Sequence, residues 1–426
     1  MAHENTPLVI GPQWEPDGEL LIPSLAGEMT ILLKSSVRLV LVSYLQYSLP
    51  FTGLLFVGRL GIDELGAVSL GSSITCITAY GLYQGLCSGM DTLCPLAYGS
   101  GRPDLAAVYL KLTLILLTII TIPVAVGWWH SQHILQTMVS PNIALLISKY
   151  LRISLLGLPG HAGFEIGKRF LQAQGIINAP IYLLCCTVPV NAALHWWLIH
   201  RQQRGFISAP ISAALSNTAL GAGLFAYMTY FRIGRTELRS PSVIHAGAHW
   251  WKLLRLALPG SITVLAEYLT FELLTVGAGK IDDISLAAQS LLNATVAVAL
   301  QLSFAVGTSV TLRVATLMGQ KRPECTKLHV RVAFATTTVV GLLNMVLLMT
   351  LRFWVSRQLS TSVAVQTLVV RTMPICAIMQ IFYATAEWSN GVLKGLQMQQ
   401  TAGILSLICH YTVRLSLGRS TSYLIV

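Results

Sequence analysis

Two glutamates, Glu267 and Glu272, lie well inside the apolar stretch LPGSITVLAEYLTFELLTVGAGK, Leu258 to Lys280. That stretch is long enough to cross a bilayer, which takes about 20 apolar residues. An ionised carboxylate at the bilayer centre costs roughly 2.5–3.5 kcal/mol on insertion scales. A span that keeps two acids is therefore expected to turn them toward a water-filled cavity or a bundle interior, where a carboxylate can exchange a proton for another cation. Five positions separate the two, so on a helix they lie about 140° apart and about 7.5 Å along the axis. They cannot close on one ion as a pincer. The expectation is that one meets the cavity and the other a neighbouring helix. The competing reading makes both neutral, hydrogen-bonded packing residues.

The elements that must position them are membrane helices. Hydrophobic residues make up 54% of the 426 and charged residues 11%, with a mean hydropathy of +0.65, whereas soluble domains run at about 25% charged. The apolar runs predict eleven spans, at 36–57, 67–90, 108–129, 142–163, 179–199, 208–230, 254–278, 284–310, 329–351, 363–390 and 400–416. Pro50, Pro123, Pro159, Pro189, Pro259 and Pro374 interrupt them, which membrane helices tolerate where neighbours or water satisfy the freed carbonyls. The domain layout this predicts is a cytosolic arm over 1–33, a first lobe over 34–230, a basic cytosolic linker over 231–250, and a second lobe over 251–426.

The formal net charge of +11 invites a nucleic-acid partner, but the basic residues are read as lying in short loops between spans. With the N-terminus cytosolic, 17 Lys and Arg fall on inner segments and 9 on outer ones, with Arg414 and Arg419 unassigned, the asymmetry of the positive-inside rule. The eight cysteines mostly sit in apolar runs and form no CxxC pair; they are read as small apolar side chains, with neither a disulfide framework nor a metal site.

The chain also repeats itself. At an offset of 220, AYGSGRPDLAAVYLK aligns with LMGQKRPECTKLHVR, placing Gly99 on Gly319, Arg102 on Arg322, Pro103 on Pro323 and Asp104 on Glu324. LGAVSLGSS matches LAAQSLLNA one position further out, and RFLQAQGIINAP weakly echoes VLKGLQMQQTAG. Six spans separate the copies, so both insert the same way round, as a parallel repeat with a transport site expected between the halves. At that offset Glu267 and Glu272 fall on Tyr47 and Thr52, so buried acid is expected in the second half and unmatched in the first.

The motifs QYSLPFTGLLFVGRLG, ELGAVSLG, GLCSGMDTLCPLAYGSGR and FEIGKRFLQAQG, followed by LAEYLTFE and NGVLKGLQMQQTAG, resemble the eukaryotic multidrug and toxic compound extrusion (MATE) transporters of the MOP flippase superfamily, the fungal branch above all, over roughly residues 30 to 410. The resemblance implies an all-α membrane protein of two six-helix lobes around a V-shaped cavity, exchanging organic cations or other xenobiotics for protons or sodium ions. Glu267 and Glu272 match the family's paired acids on the first helix of the second lobe, tied to cation recognition and proton coupling. Asp91 matches the acid of the DTLC motif, here expected to brace the helix end near Arg102; Arg169, Gln172 and Gln174 stand in the matching KRFLQAQG motif. Two departures stand out. Where the family carries an acid eight residues before Gly391, this chain has Tyr383, with Glu387 one turn later. After SLICHYTV it reads RLSLGRSTSYLIV, so that about eleven of the family's twelve helices are expected and the C-terminus reads as truncated.

Around the two acids, Gln46 and Tyr47 from the first span, Gln289 and Asn293 from the eighth, and Tyr383 and Glu387 from the tenth are candidate pocket residues, with ordinary interhelical hydrogen bonding as the alternative. Aromatic faces suit organic cations at roughly 0.5–2 kcal/mol each. His161, beside Pro159 and Gly160, reads as a packing histidine, with a proton relay as the other option. The expected function is secondary active antiport of small organic cations in the plasma or vacuolar membrane by a monomer. Its only cofactor is the coupling ion, H+ or Na+, and no nucleic acid is involved. The rivals are a flippase for a lipid-linked substrate, which wants a basic cavity, and a truncated, non-transporting paralogue. No HExxH, GxSxG or phosphate-cradling glycine loop points to an enzyme.

Overall fold

The computed structural model describes residues 24–57, 62–137, 140–202, 205–233, 247–360 and 362–408, and every regular element among them is a helix. Residues 1–23 of the expected arm, most of the linker, Arg59, Arg204 and the stretch after Ile408 with Arg414 and Arg419 lie outside the described residues.

Helix α1 spans Leu25–Val57. Helix α2 (Ile62–Thr75) runs through a π turn at Cys76–Tyr80 into α3 (Gly81–Gly99). After α4 (Pro103–Trp129) and the short α5 (Ser131–Leu135), α6 (Pro141–Ser154) leads through a 3-10 turn, Leu155–Gly157, into α7 (Leu158–Ala173). Pro159 therefore opens a helical segment, where its missing N–H costs nothing. Then follow α8 (Asn178–His200), α9 (Ser208–Tyr230), α10 (Gly247–Gly279), α11 (Asp283–Gly319), α12 (Pro323–Leu359), α13 (Val363–Gly395) and α14 (Gln399–Ile408). Among the described residues nine helices are long and apolar enough to cross a membrane. The expected second span is the broken helix α2–α3, and the eleventh begins as α14.

Two expectations from the sequence are corrected. α1 starts at Leu25, inside the stretch read as a loose arm, and its first turns are partly buried through Glu28 and Leu32. The basic residues are not confined to loops. Lys34 and Arg38 lie on α1, Lys168 and Arg169 on α7, and Arg313 on α11. For α1 the reason is length, since a helix of 33 residues is about 50 Å long against a hydrocarbon core of about 30 Å; Lys168, Arg169 and Arg313 are instead paired with acids.

Among the described residues the chain divides into two compact units, one built from Leu41–Ser261, the other from Ile262 onward together with the start of α1 up to Val40. The division cuts α1 and α10 in mid-helix. In the first unit, Tyr83, Leu86, Met90, Leu112, Leu151 and Phe170 form a buried core that also takes Leu253 and Ala257 from the start of α10. In the second, Val310, Val314, Val332 and Ala333 pack around Leu32 from the start of α1. Leu32 and Leu253 are 221 apart, in the matching triplets LLK and LLR. Each copy of the repeat thus receives the opening turns of one half-shared helix.

Glycines set how closely the helices approach. A Cβ on Gly221 of α9 would stand 2.4 Å from the Gly160 carbonyl oxygen of α7, and one on Gly391 of α13 would stand 2.6 Å from the Gly307 carbonyl oxygen of α11. The repeat is also visible in the turns. Gly101 (φ 71°) and Lys321 (φ 57°) each end a helix in the left-handed region. The next N–H closes back onto the helix in both, Arg102 to Ala97 at 2.9 Å and Arg322 to Leu317 at 3.1 Å, which is the Schellman arrangement. A second such pair, Gly175 (φ 78°) and Gln397 (φ 65°), stands 222 apart.

Candidate functional site

In the second unit, Glu267 lies in the C-terminal half of α10, partly buried. Tyr383 of α13 donates its hydroxyl to Glu267 Oε1 at 2.8 Å. The tyrosine that stands where the family carries an acid is therefore joined to an acid on another helix. One turn on, Glu387 faces α11: a Cβ on Gly307 would meet its Oε2 at 3.2 Å and its carbonyl oxygen at 2.9 Å. Gln289 and Asn293 of α11 are linked, Gln289 Nε2 donating to Asn293 Oδ1 at 2.8 Å, and Asn293 Nδ2 in turn donates to Thr275 Oγ1 of α10 at 2.8 Å. That amide string ties α10 to α11, the interhelical role set against a pocket role in the sequence reading. Glu272, five residues beyond Glu267, is also partly buried.

The first unit corrects the expectation that buried acid is unmatched there. Glu165 of α7 has a side chain only 3% exposed. Its Oε1 accepts from Gln46 Nε2 of α1 at 2.7 Å and from Lys168 Nζ at 2.7 Å, and Lys168 Nζ also donates to Gln46 Oε1 at 2.8 Å. Arg169 donates from Nη1 to Asp91 of α3, and from Nη2 to the Gln84 carbonyl at 3.1 Å and to Glu165 Oε2 at 3.4 Å. Two acids and two bases so balance one another across α1, α3 and α7. Burial explains why all four are paired: an isolated buried charge costs several kcal/mol, which only an opposite charge and hydrogen bonds offset. Asp91 braces its helix against Arg169 of α7. The expected neighbour Arg102 is exposed, at the N-cap of α4. Gln172 is buried on α7, and Gln174 donates to the Phe170 carbonyl at 3.3 Å. Tyr47 is partly buried on α1. His161 is buried with its ring 4.0 Å from that of Tyr80, and its Nδ1 is 3.4 Å from Asn217 Oδ1, the surroundings of a packing histidine.

A third buried group went unread in the sequence. Glu28, 0% exposed, accepts from Arg313 Nη2 at 2.5 Å and Nε at 3.3 Å, and from His329 Nδ1 at 3.0 Å. All three belong to the second unit. The available signal was the repeat itself. At 221, Glu28 falls on His249, and at 220, His329 falls on Tyr109; in the first unit the Tyr109 hydroxyl and His249 Nδ1 stand 3.4 Å apart.

The pattern of the MatE family matches residues 39–197 and 259–418, the two copies of the repeat. An uncharacterized transporter of Schizosaccharomyces pombe is 31% identical over 391 residues, 91% of this chain and 72% of its own length. One of Saccharomyces cerevisiae is 32% identical over 400 residues; the match takes 93% of this chain but spans only 57% of that relative. Among solved structures, the eukaryotic MATE transporter AtDTX14 shares the fold with a TM-score of 0.84 at 22% identity, covering 91% of this chain and 87% of that one. Duplicated family match, helical fold and sequence identity agree: this chain is a multi-pass membrane protein and belongs to the MatE family of transporters.

Proposed function

We propose that the chain exchanges small organic cations, xenobiotics among them, for protons or sodium ions by alternating access. The observation that carries this reading is the Glu267 carboxylate, held inside a membrane helix by the Tyr383 hydroxyl. A carboxylate in that setting is costly while empty and favourable when a cation neutralises it. It therefore binds one cation at a time, and the incoming ion expels the one before it. Tyr383 adds an aromatic face for an organic cation and fixes one carboxylate oxygen, leaving the second for the exchanged ion. The charge pairing in the first unit argues against a lipid-linked anionic substrate, because Lys168 and Arg169 are already matched by Glu165 and Asp91. The asymmetry of basic residues supports a cytosolic N-terminus; the plasma or vacuolar membrane and a monomeric state complete the proposal.

The test is cation uptake into everted vesicles, driven in turn by a pH gradient and by a sodium gradient. Glu267→Gln is expected to abolish exchange under whichever gradient drives the native chain. Full exchange retained by both Glu267→Gln and Glu272→Gln overturns the proposal.

A further inference from the structure

We infer that Lys168 is a tethered cation, permanently seated in a carboxylate site of the first unit that corresponds to the one the second unit leaves to the exchanged ion. The inference rests on the proposed function for what the second unit does, but its own geometry is independent of it.

The paired turns at Gly175 and Gln397 fix the register of α7 on α13 at 222. In both, the residue after the left-handed one donates to the leucine carbonyl five positions back, Ile176 to Leu171 at 2.9 Å and Met398 to Leu393 at 2.8 Å. At that register Glu165 falls on Glu387, His161 on Tyr383, Arg169 on Gly391 and Lys168 on Asn390. For α1 on α10 the register is 221, from the LLK and LLR triplets, and Gln46 falls on Glu267. A contact between the same pair of helices is therefore made twice, one turn apart along α7 and α13. In the second unit it joins Tyr383 of α13 to Glu267 of α10; in the first it joins Glu165 of α7 to Gln46 of α1. The acid that takes part has changed helices, and the contact has moved one turn along α7, from the level of His161 to that of Glu165.

What differs is the occupant. An ammonium group carries three donors and no acceptor. Lys168 Nζ finds one oxygen of Glu165 at 2.7 Å and one of Gln46 at 2.8 Å, with the Phe164 ring centroid 5.4 Å away. Two oxygens and an aromatic face are what a free primary ammonium ion requires of a site. At the corresponding place the second unit has Asn390, which is uncharged and accepts from the Ser406 hydroxyl at 3.2 Å. Arg169 does not fill the seat: it reaches only the other carboxylate oxygen, Glu165 Oε2, at 3.4 Å, and its guanidinium is otherwise shared between Asp91 and the Gln84 carbonyl. The Lys168 side chain is 12% exposed, so the seat is open to a small ion once the lysine is shortened. With Lys168 in place, Glu165 takes no cation from solution, and the charge moved in each cycle is set by the second unit alone.

The experiment uses the full chain in detergent and thermal unfolding as its readout, with n-propylammonium chloride as the probe. In Lys168→Ala that ion restores the atoms from Cγ to Nζ. The variant is expected to melt below the native chain and to regain at least half of the loss on titration with n-propylammonium, sodium chloride at equal ionic strength giving no such recovery. Neither the native chain nor Glu165→Gln/Lys168→Ala should respond beyond the salt control. Should Lys168→Ala fold only when n-propylammonium is present throughout purification, that dependence is the same result in another form. Equal responses in the native chain and the single variant overturn the assignment, as do equal responses in the single and double variants or failure to fold even with the amine. No transport is measured, so this outcome is separate from that of Glu267→Gln.

Discussion

Replacing Glu28 by alanine should be among the most damaging single changes in the second unit. The carboxylate is fully buried and accepts three hydrogen bonds, two from Arg313 and one from His329. Its removal strands a guanidinium whose side chain is 16% exposed and a histidine that is 0% exposed. Breaking a buried ion pair from one side costs about 3–5 kcal/mol; the slight exposure of Arg313 returns part of its hydration and favours the lower end. At about 2–4 °C per kcal/mol for domains of about 150–250 residues, the apparent Tm in detergent should fall by roughly 10 °C. The check is a double-substitution cycle in which Glu28→Ala, Arg313→Met and the pair are melted under identical conditions. If the triad acts as a unit, the pair should lose far less than the two single losses added together, because the double variant leaves neither the guanidinium nor the carboxylate without its partner and strands only His329. A Glu28→Ala protein melting within about 2 °C of the native chain would refute the reasoning. Single losses that simply add would refute it as well.

The counterpart in the first unit should be weak: Tyr109 and His249 stand 3.4 Å apart with His249 half-exposed, so His249→Ala should cost about 1 kcal/mol or less in the same melt. Lys321→Gly should stabilise by about 1 kcal/mol, because a non-glycine residue in the left-handed region costs about that much, and Gly101→Ala should cost a similar amount at the matching turn; opposite shifts in Tm are the check. Gly221→Val should destabilise the first unit by several kcal/mol, roughly 3 or more, since even a single Cβ there would stand 2.4 Å from the Gly160 carbonyl oxygen and only backbone movement relieves it. Loss of folded material on size-exclusion chromatography reads that out.

Apolar length and the repeat made the helical class, the two copies and the acids of α10 legible in the sequence, because both signals are local or periodic. The joining of Glu267 and Tyr383 was half legible: both were candidates for one pocket, but that a hydroxyl had taken over where the family keeps a carboxylate needed the contact itself. Glu165 was missed for a physical reason. It stands one helical turn before two bases, and KR after an apolar run reads as a membrane-surface loop, although these bases are buried and paired on α7. Glu28 was missed because Pro, Gly and Glu in the preceding residues look like a solvated arm, and its partners lie 285 and 301 positions away. Pairing over such separations leaves no trace in composition, and the repeat shows it only once Glu28 and His329 are set against His249 and Tyr109. At 220 Glu267 falls on Tyr47, whereas α1 on α10 follows 221, which puts Gln46, the partner of Glu165, on Glu267.

Those long separations bear on how the chain is made. Arg313 and His329 leave the ribosome about 300 residues after Glu28. At about 5–20 residues per second, the first segment waits roughly 15–60 s before its permanent neighbours exist. For that interval its carboxylate must stay hydrated or borrow temporary partners from the insertion machinery. Assembly of the second unit therefore departs from the order of synthesis: the turns that carry Glu28 precede its other helices and are locked only once α11 and α12 exist.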